Sequence, residues 1–183
     1  MVSSMNLVWK YIFRTALKYG LTCSIIILVF FSVLLYSDKN IFNPALSLLA
    51  GLIVLVFILF SIIEYNQIDV VPKFWKNMSV GIINYIIVAL IYFLFMMIII
   101  NLVRPELLND YISDRIAMMD ENKGGFIEKF GEETYIKTLQ DVKDTSPYDL
   151  ALDGLIKISF IGLFSTIFIS LIYLFFKTKK ITS

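Results

Sequence analysis

Apolar and polar positions in this chain fall into blocks: four long apolar runs, separated by three unequal gaps, take up nearly half of it. A helix rises 1.5 Å per residue and needs about twenty residues to cross a hydrocarbon layer of roughly 30 Å. Segments at about 17–36, 44–63, 80–103 and 156–176 meet that length without an acidic residue, and carry charge only at their edges, as Lys18 and Lys157. In lipid, backbone groups must be satisfied within the spanning structure, so runs this long select helices over the shorter, alternating strands of a barrel. The β-branched stretches Ile25 to Ile27 and Ile98 to Ile100 do not overrule that. The pattern predicts an all-α fold, an integral-membrane bundle of four transmembrane helices. It is one domain over 1–183, with an extracytoplasmic helical insertion at 105–155.

The gaps add detail. The first, Ser37 to Asn43, is short, and Asn43 before Pro44 reads as an N-cap with proline at the first helical position, so the first two spans form an antiparallel hairpin. The second, Glu64 to Ser79, holds Pro72, Phe74 and Trp75 between and beside Lys73 and Lys76, either an interface belt or a patch for a partner. Within the third, Pro105 opens a turn. Leu108, Tyr111, Ile112, Arg115, Ile116 and Met119 then follow at helical spacing, predicting an amphipathic helix to about Asp120. Gly124 and Gly125 are expected to break it. Tyr135, Ile136, Leu139 and Val142 predict a second helix, ended by Asp144 to Ser146. Ser146 is the expected N-cap of a last helix, with Pro147 at its first position and Asp149 in its first turn, running unbroken into the fourth span.

Composition agrees with the block pattern: 58% hydrophobic residues, 15% aromatic and a mean hydropathy of +0.80 exceed what a soluble domain carries. The net charge of +1 hides segregation. Lys10, Arg14, Lys18, Lys73, Lys76, Lys177, Lys179 and Lys180 flank the spans on one side. The first gap offers only Lys39, and the third carries six bases against twelve acids. Basic flanks mark the cytoplasmic side, so both termini are expected there and 105–155 in the periplasm. Trp9 and Trp75 fall beside the basic clusters, where amphipathic rings favour the headgroup layer. Asn6 to Lys18 reads as an interfacial helix entering the first span, its stripe of Lys10, Arg14 and Lys18 facing anionic headgroups. No small-x-small site follows Tyr36, so the first span is expected to stay rather than be cleaved as a signal peptide, and Cys23 reads as a small buried side chain.

Candidate chemistry is thin. The chain has no histidine and one cysteine, and no acid or histidine at mid-span, which argues against proton relays, ion coupling and zinc. Asp110 with Asp114, and Asp149 with Asp153, share helical faces, but alternate with Arg115, Lys129, Lys137 and Lys143 as on a solvated surface. There is no D-x-D-x-D-G loop, nucleophile motif, phosphate-cradling loop or nucleic-acid signature, so no enzyme, metal, cofactor or nucleic-acid role is expected. Small residues do recur. Gly162, Thr166 and Ser170 stand four apart, with Gly20 and Ser24, and Ser47 and Gly51, similarly spaced. Such stripes let helices approach closely, within the bundle or in a homo-oligomer or partner interface. Asn84, Tyr85 and Tyr92 are the candidate polar crevice of the third span, and Asn84 is expected to face inward for hydrogen bonds.

The order of parts resembles a known family: Lys18-Tyr19-Gly20 opening the first span, the third span leading into Arg104-Pro105-Glu106, an outward helical segment, Ser146-Pro147, a closing span and a lysine-rich tail. It is similar to the small four-helix inner-membrane proteins of Bacteroidota called domain of unknown function 4199. That resemblance implies no catalytic residues. Members are often encoded beside a membrane glycosyltransferase, so it implies an accessory role with such an enzyme as partner. The leading expectation is a non-enzymatic inner-membrane subunit docking a partner. The alternative is a module for binding or transporting a small solute or lipid, gated by 105–155.

Overall fold

The computed structural model describes residues 2–37, 41–68 and 73–181, with side chains over 7–37, 41–43, 45–67 and 73–176. Lys39 and Pro72 lie outside the described residues, as do the side chains of Lys177, Lys179 and Lys180. The described residues form seven α-helices and one π turn, with no strand: α1 Val2–Tyr36, α2 Pro44–Ile68, α3 Phe74–Ile98, π turn Ile99–Val103, α4 Glu106–Glu121, α5 Lys123–Phe130, α6 Glu132–Lys143 and α7 Pro147–Ile181. Stretches of α1, α2, α3 with its π turn, and α7 are each long and apolar enough to cross a membrane, at Leu7–Tyr36, Ala45–Gln67, Phe74–Val103 and Pro147–Phe176. They exceed the apolar runs because polar ends stay helical. The interfacial stretch before Leu17 is thus continuous with α1, and Glu64 sits on α2 rather than in a loop.

The chain divides into two compact units, Met1–Tyr92 with Gly154–Ser183, and Phe93–Asp153. In the first, helix meets helix through named contacts. Asn43 caps α2, its Oδ1 accepting from the Ala45 amide at 2.9 Å. Lys18 Nζ and Tyr19 Oη of α1 both donate to Glu64 Oε2 of α2, at 2.6 and 2.7 Å. Phe31 of α1 lies against Tyr92 of α3 with ring centroids 5.3 Å apart. Ile27, Val54, Val88 and Thr166 are fully buried, whereas Val29, Leu52, Leu90 and Phe168 are exposed on the same four helices. A face this apolar and this exposed is what a lipid-solvated helix presents.

The second unit is short amphipathic helices joined tightly. The π turn closes with the Arg104 amide donating to the Ile99 carbonyl at 2.8 Å, five residues back. Pro105 then starts α4, and Arg104 pairs with Glu106. Tyr135 is buried on α6, its hydroxyl donating to Asp120 Oδ1 at 2.7 Å, and Phe126 of α5 packs on its ring at 5.9 Å. One expectation is corrected. Gly124 and Gly125 lie inside α5; the helix they were expected to break ends before them, at Glu121, and the sharper break falls at Gly131, whose φ of +85° suits glycine. Ser146 caps α7 as expected, in a reciprocal box: the Asp149 amide donates to Ser146 Oγ at 3.3 Å and the Ser146 amide to Asp149 Oδ2 at 2.8 Å.

Candidate functional site

The polar and small residues of the long helices meet mainly along α3 and α7, which run antiparallel through three close approaches. A Cβ on Gly81 would lie 2.4 Å from Thr166, one on Gly162 would lie 2.4 Å from Tyr85, and one on Gly154 would lie 2.5 Å from the Tyr92 ring. These pairings advance by 4 and then 7 residues along α3 while they step back by 4 and then 8 along α7, as one antiparallel register requires. The residue a turn below Gly81 is Asn77, and the residue a turn beyond Thr166 is Ser170. Small faces thus receive large ones: Gly162 takes Tyr85, and Thr166 seats on Gly81. Two further approaches close the set, with Gly20 of α1 at the Asn84 carbonyl and Ile87, and Gly51 of α2 at Ile161 of α7.

The structure places the stripe Gly162, Thr166 and Ser170 in the interior, all three buried. Asn84 is fully buried and its Nδ2 donates to the Phe57 carbonyl of α2 at 3.3 Å. Tyr85 is buried against Gly162, and Tyr92 is half-buried between Phe31 and Gly154. The three crevice candidates are therefore not gathered around one opening: Asn84 turns to α2, while Tyr85 and Tyr92 turn to α7. What the seam does contain is polar atoms without hydrogen-bond partners, namely Asn77 Nδ2, Asn84 Oδ1, Thr166 Oγ1 and Ser170 Oγ. On the other two long helices, α1 and α2, hydroxyls bond back into their own turn, Ser24 to the Gly20 carbonyl at 2.8 Å and Ser61 to the Ile58 carbonyl at 2.8 Å. Each buried polar atom left unsatisfied costs about 1–3 kcal/mol. Amides and hydroxyls alone hold a neutral polar guest or water; they offer no proton to transfer near pH 7.

Two groupings were hidden from sequence reasoning. Asn66 of α2 donates through Nδ2 to Asn77 Oδ1 at 2.7 Å and to the Ile62 carbonyl at 2.7 Å, both amides buried. Their positions fall in what reads as a polar gap. The Lys18, Tyr19 and Glu64 cluster was hidden the same way, and only aligning the α1–α2 hairpin residue by residue would have exposed it. The second unit carries its own feature, an open groove of about 320 Å³ lined by Tyr111, Arg115, Met118 and Met119 of α4, Asn122, Phe126 of α5, and Thr138 and Val142 of α6. The Arg115 guanidinium lies over the Tyr111 ring, 5.3 Å from its centroid.

A family model described as Protein of unknown function (DUF4199) matches residues 15–174. The chain belongs to that family. No curated protein and no solved structure matches it. The DUF4199 match starts within α1 and ends within α7, so the α3–α7 seam and the helical unit 93–153 both lie inside it.

Proposed function

We propose that this DUF4199 protein is a non-enzymatic inner-membrane accessory protein whose four long helices form a bundle in lipid and whose 93–153 unit docks a membrane-protein partner. In this reading both termini are cytoplasmic and the helical unit is periplasmic. The observation that carries it is the contrast between a seam whose glycines are filled by tyrosine and threonine, leaving those side chains committed to packing, and a groove on α4–α6 that is open and lined by methionine, aromatic and arginine side chains. Methionine and aromatic surfaces adapt to partners, and arginine is frequent where interfaces bind most tightly. Twelve acids against six bases in this unit favour a partner with a basic face. A membrane glycosyltransferase is the partner class the family resemblance suggests, and a second copy of the chain is the competing one.

The test is a photocrosslinker at Met118 or Tyr111 in intact cells, with Phe168 as the lipid-facing control. Specific adducts at the groove positions, absent at Phe168, support docking; none above the control refutes it. A periplasm-active reporter joined near Gly125 is expected to work and one joined after Lys180 to fail. The reverse pattern would invert the orientation.

A second reading, binding of a small polar solute in the bundle, is favoured by the unpartnered atoms at Asn77, Asn84, Thr166 and Ser170. Loss of uptake or binding of a candidate solute in Asn84→Leu, with the fold retained, would support it over docking.

A further inference from the structure

Asn77 Nδ2 and Asn84 Oδ1 of α3, and Thr166 Oγ1 and Ser170 Oγ of α7, are buried without a hydrogen-bond partner, and the register of the two helices sorts them. Thr166 seats on Gly81, where an added Cβ would stand 2.6 Å from Oγ1, so that hydroxyl is closed against backbone. Asn84 lies three residues on from Gly81 and Leu163 three back from Thr166, which puts Asn84 level with an apolar residue. Four residues the other way, Asn77 falls level with Ser170. Both are fully buried. At that level a donor stands opposite a hydroxyl, and neither is bonded to the other. The direction of the Asn77 amide is fixed as well. Its Oδ1 accepts from Asn66 Nδ2 of α2 at 2.7 Å, and Asn66 Nδ2 also donates to the Ile62 carbonyl of α2 at 2.7 Å. With the amide oxygen turned to α2, Nδ2 is turned away from it.

We propose that a single water molecule binds between Asn77 Nδ2 and Ser170 Oγ, accepting from the amide and donating to the hydroxyl oxygen. Buried polar groups that stand opposite each other without a direct bond are what a bridging water joins, and two polar partners are enough to hold one. The walls set the size of the occupant. Thr166 on Gly81 closes the seam one turn away, and the bond between Asn66 and Asn77 occupies the α2 side, so water rather than a larger polar solute is the guest this level admits. An amide and a hydroxyl are neutral, so the guest is uncharged. Bound there, water completes a chain of hydrogen bonds from the Ile62 carbonyl through Asn66 and Asn77 to Ser170, across α2, α3 and α7. Those helices are apolar on all sides, and a satisfied polar chain gives them one relative placement. The site is independent of docking by the 93–153 unit.

The full protein in detergent supplies two readouts. In the first, thermal exposure of the buried Cys23 thiol to a maleimide dye gives the unfolding midpoint. Ser170→Ala removes one oxygen and no carbon, so the sign of its effect is diagnostic: losing a bridged hydroxyl lowers the midpoint by several degrees, and losing an orphaned one leaves it or raises it. Thr166→Val, at the hydroxyl closed against backbone, is the control and is expected not to lower it. A Ser170→Ala midpoint at or above wild type overturns the proposal, as does an equal fall in both variants, which would mark a general intolerance of the seam. The second readout is a crystal structure of the full chain at a resolution that orders water. One solvent peak is expected within hydrogen-bond distance of both Asn77 Nδ2 and Ser170 Oγ. A direct bond between the two side chains or the lack of a peak overturns the site, and density too large for one water overturns it in favour of a bound solute.

Discussion

Replacing Gly162 by alanine tests the α3–α7 register with one methyl group. Its Cβ would stand 2.4 Å from Tyr85 Cγ and 2.5 Å from Tyr85 Cβ, where carbon pairs rest at about 3.5–4.0 Å. The shortfall is roughly 1 Å. Tyr85 Cβ is fixed by the α3 backbone and no rotamer change moves it, so α3 and α7 must part, which also loosens Thr166 on Gly81 one turn away. Overpacking of this kind costs about 1–3 kcal/mol, and the better helix propensity of alanine returns up to about 1. A net loss of about 1–2 kcal/mol is expected. The single cysteine, Cys23, is fully buried, so thermal exposure of its thiol to a fluorogenic maleimide in detergent reports unfolding. Gly162→Ala should lower the midpoint by several degrees. Tyr85→Ala should also lower it, by leaving a cavity, and the double variant should lose less than the sum, with a coupling of about 0.5–3 kcal/mol. A Gly162→Ala midpoint equal to wild type, or additive losses in the double variant, would refute the register.

Three further outcomes follow from other contacts. Gly124 and Gly125 are helical with nothing within 4 Å of an added Cβ, so alanine at either should stabilise α5 by about 0.5–1 kcal/mol, read as slower amide exchange over 123–130; faster exchange would mean the helix is not formed. The hydrogen bond to Asp120 raises the Tyr135 pKa above its ordinary value near 10, so the contribution of this contact is complete below pH 10 and is lost as pH rises through the raised value. Ultraviolet difference titration should find a late-ionising component that shrinks by one tyrosine in Tyr135→Phe, and an unchanged titration would refute the contact. Thr166 Oγ1 is buried without a partner, so Thr166→Val should be neutral or stabilising by up to about 1–3 kcal/mol in the Cys23 assay; destabilisation would mean that the hydroxyl holds a bound water or solute.

Local signals were legible without coordinates. The four apolar runs, the caps at Asn43 and Ser146, the amphipathic helix to Glu121 and the helix around Tyr135 each depend on residues within a few positions of one another, where backbone hydrogen bonding and helical periodicity act. The family match over 15–174 bears out the resemblance read from the order of parts. The helical state of Gly124 and Gly125 escaped that reading because an exposed glycine costs a helix only about 1 kcal/mol, which neighbouring turns can absorb.

Which faces meet was decided by tertiary structure alone. Along α2, α3 and much of α7 apolar residues surround the helix, so hydrophobicity points nowhere in particular and cannot say which side is inward. Direction comes instead from fit: Tyr85 against Gly162, Thr166 on Gly81, Ile161 against Gly51. It comes also from polar groups that must find one another across distant stretches of chain, Asn66 with Asn77 and Lys18 with Glu64. Sequence by itself determined that helices form and where they are apolar, because backbone satisfaction and transfer free energy are properties of a segment. Volume complementarity and buried pairing are properties of two segments together, and they exist only once the helices are packed.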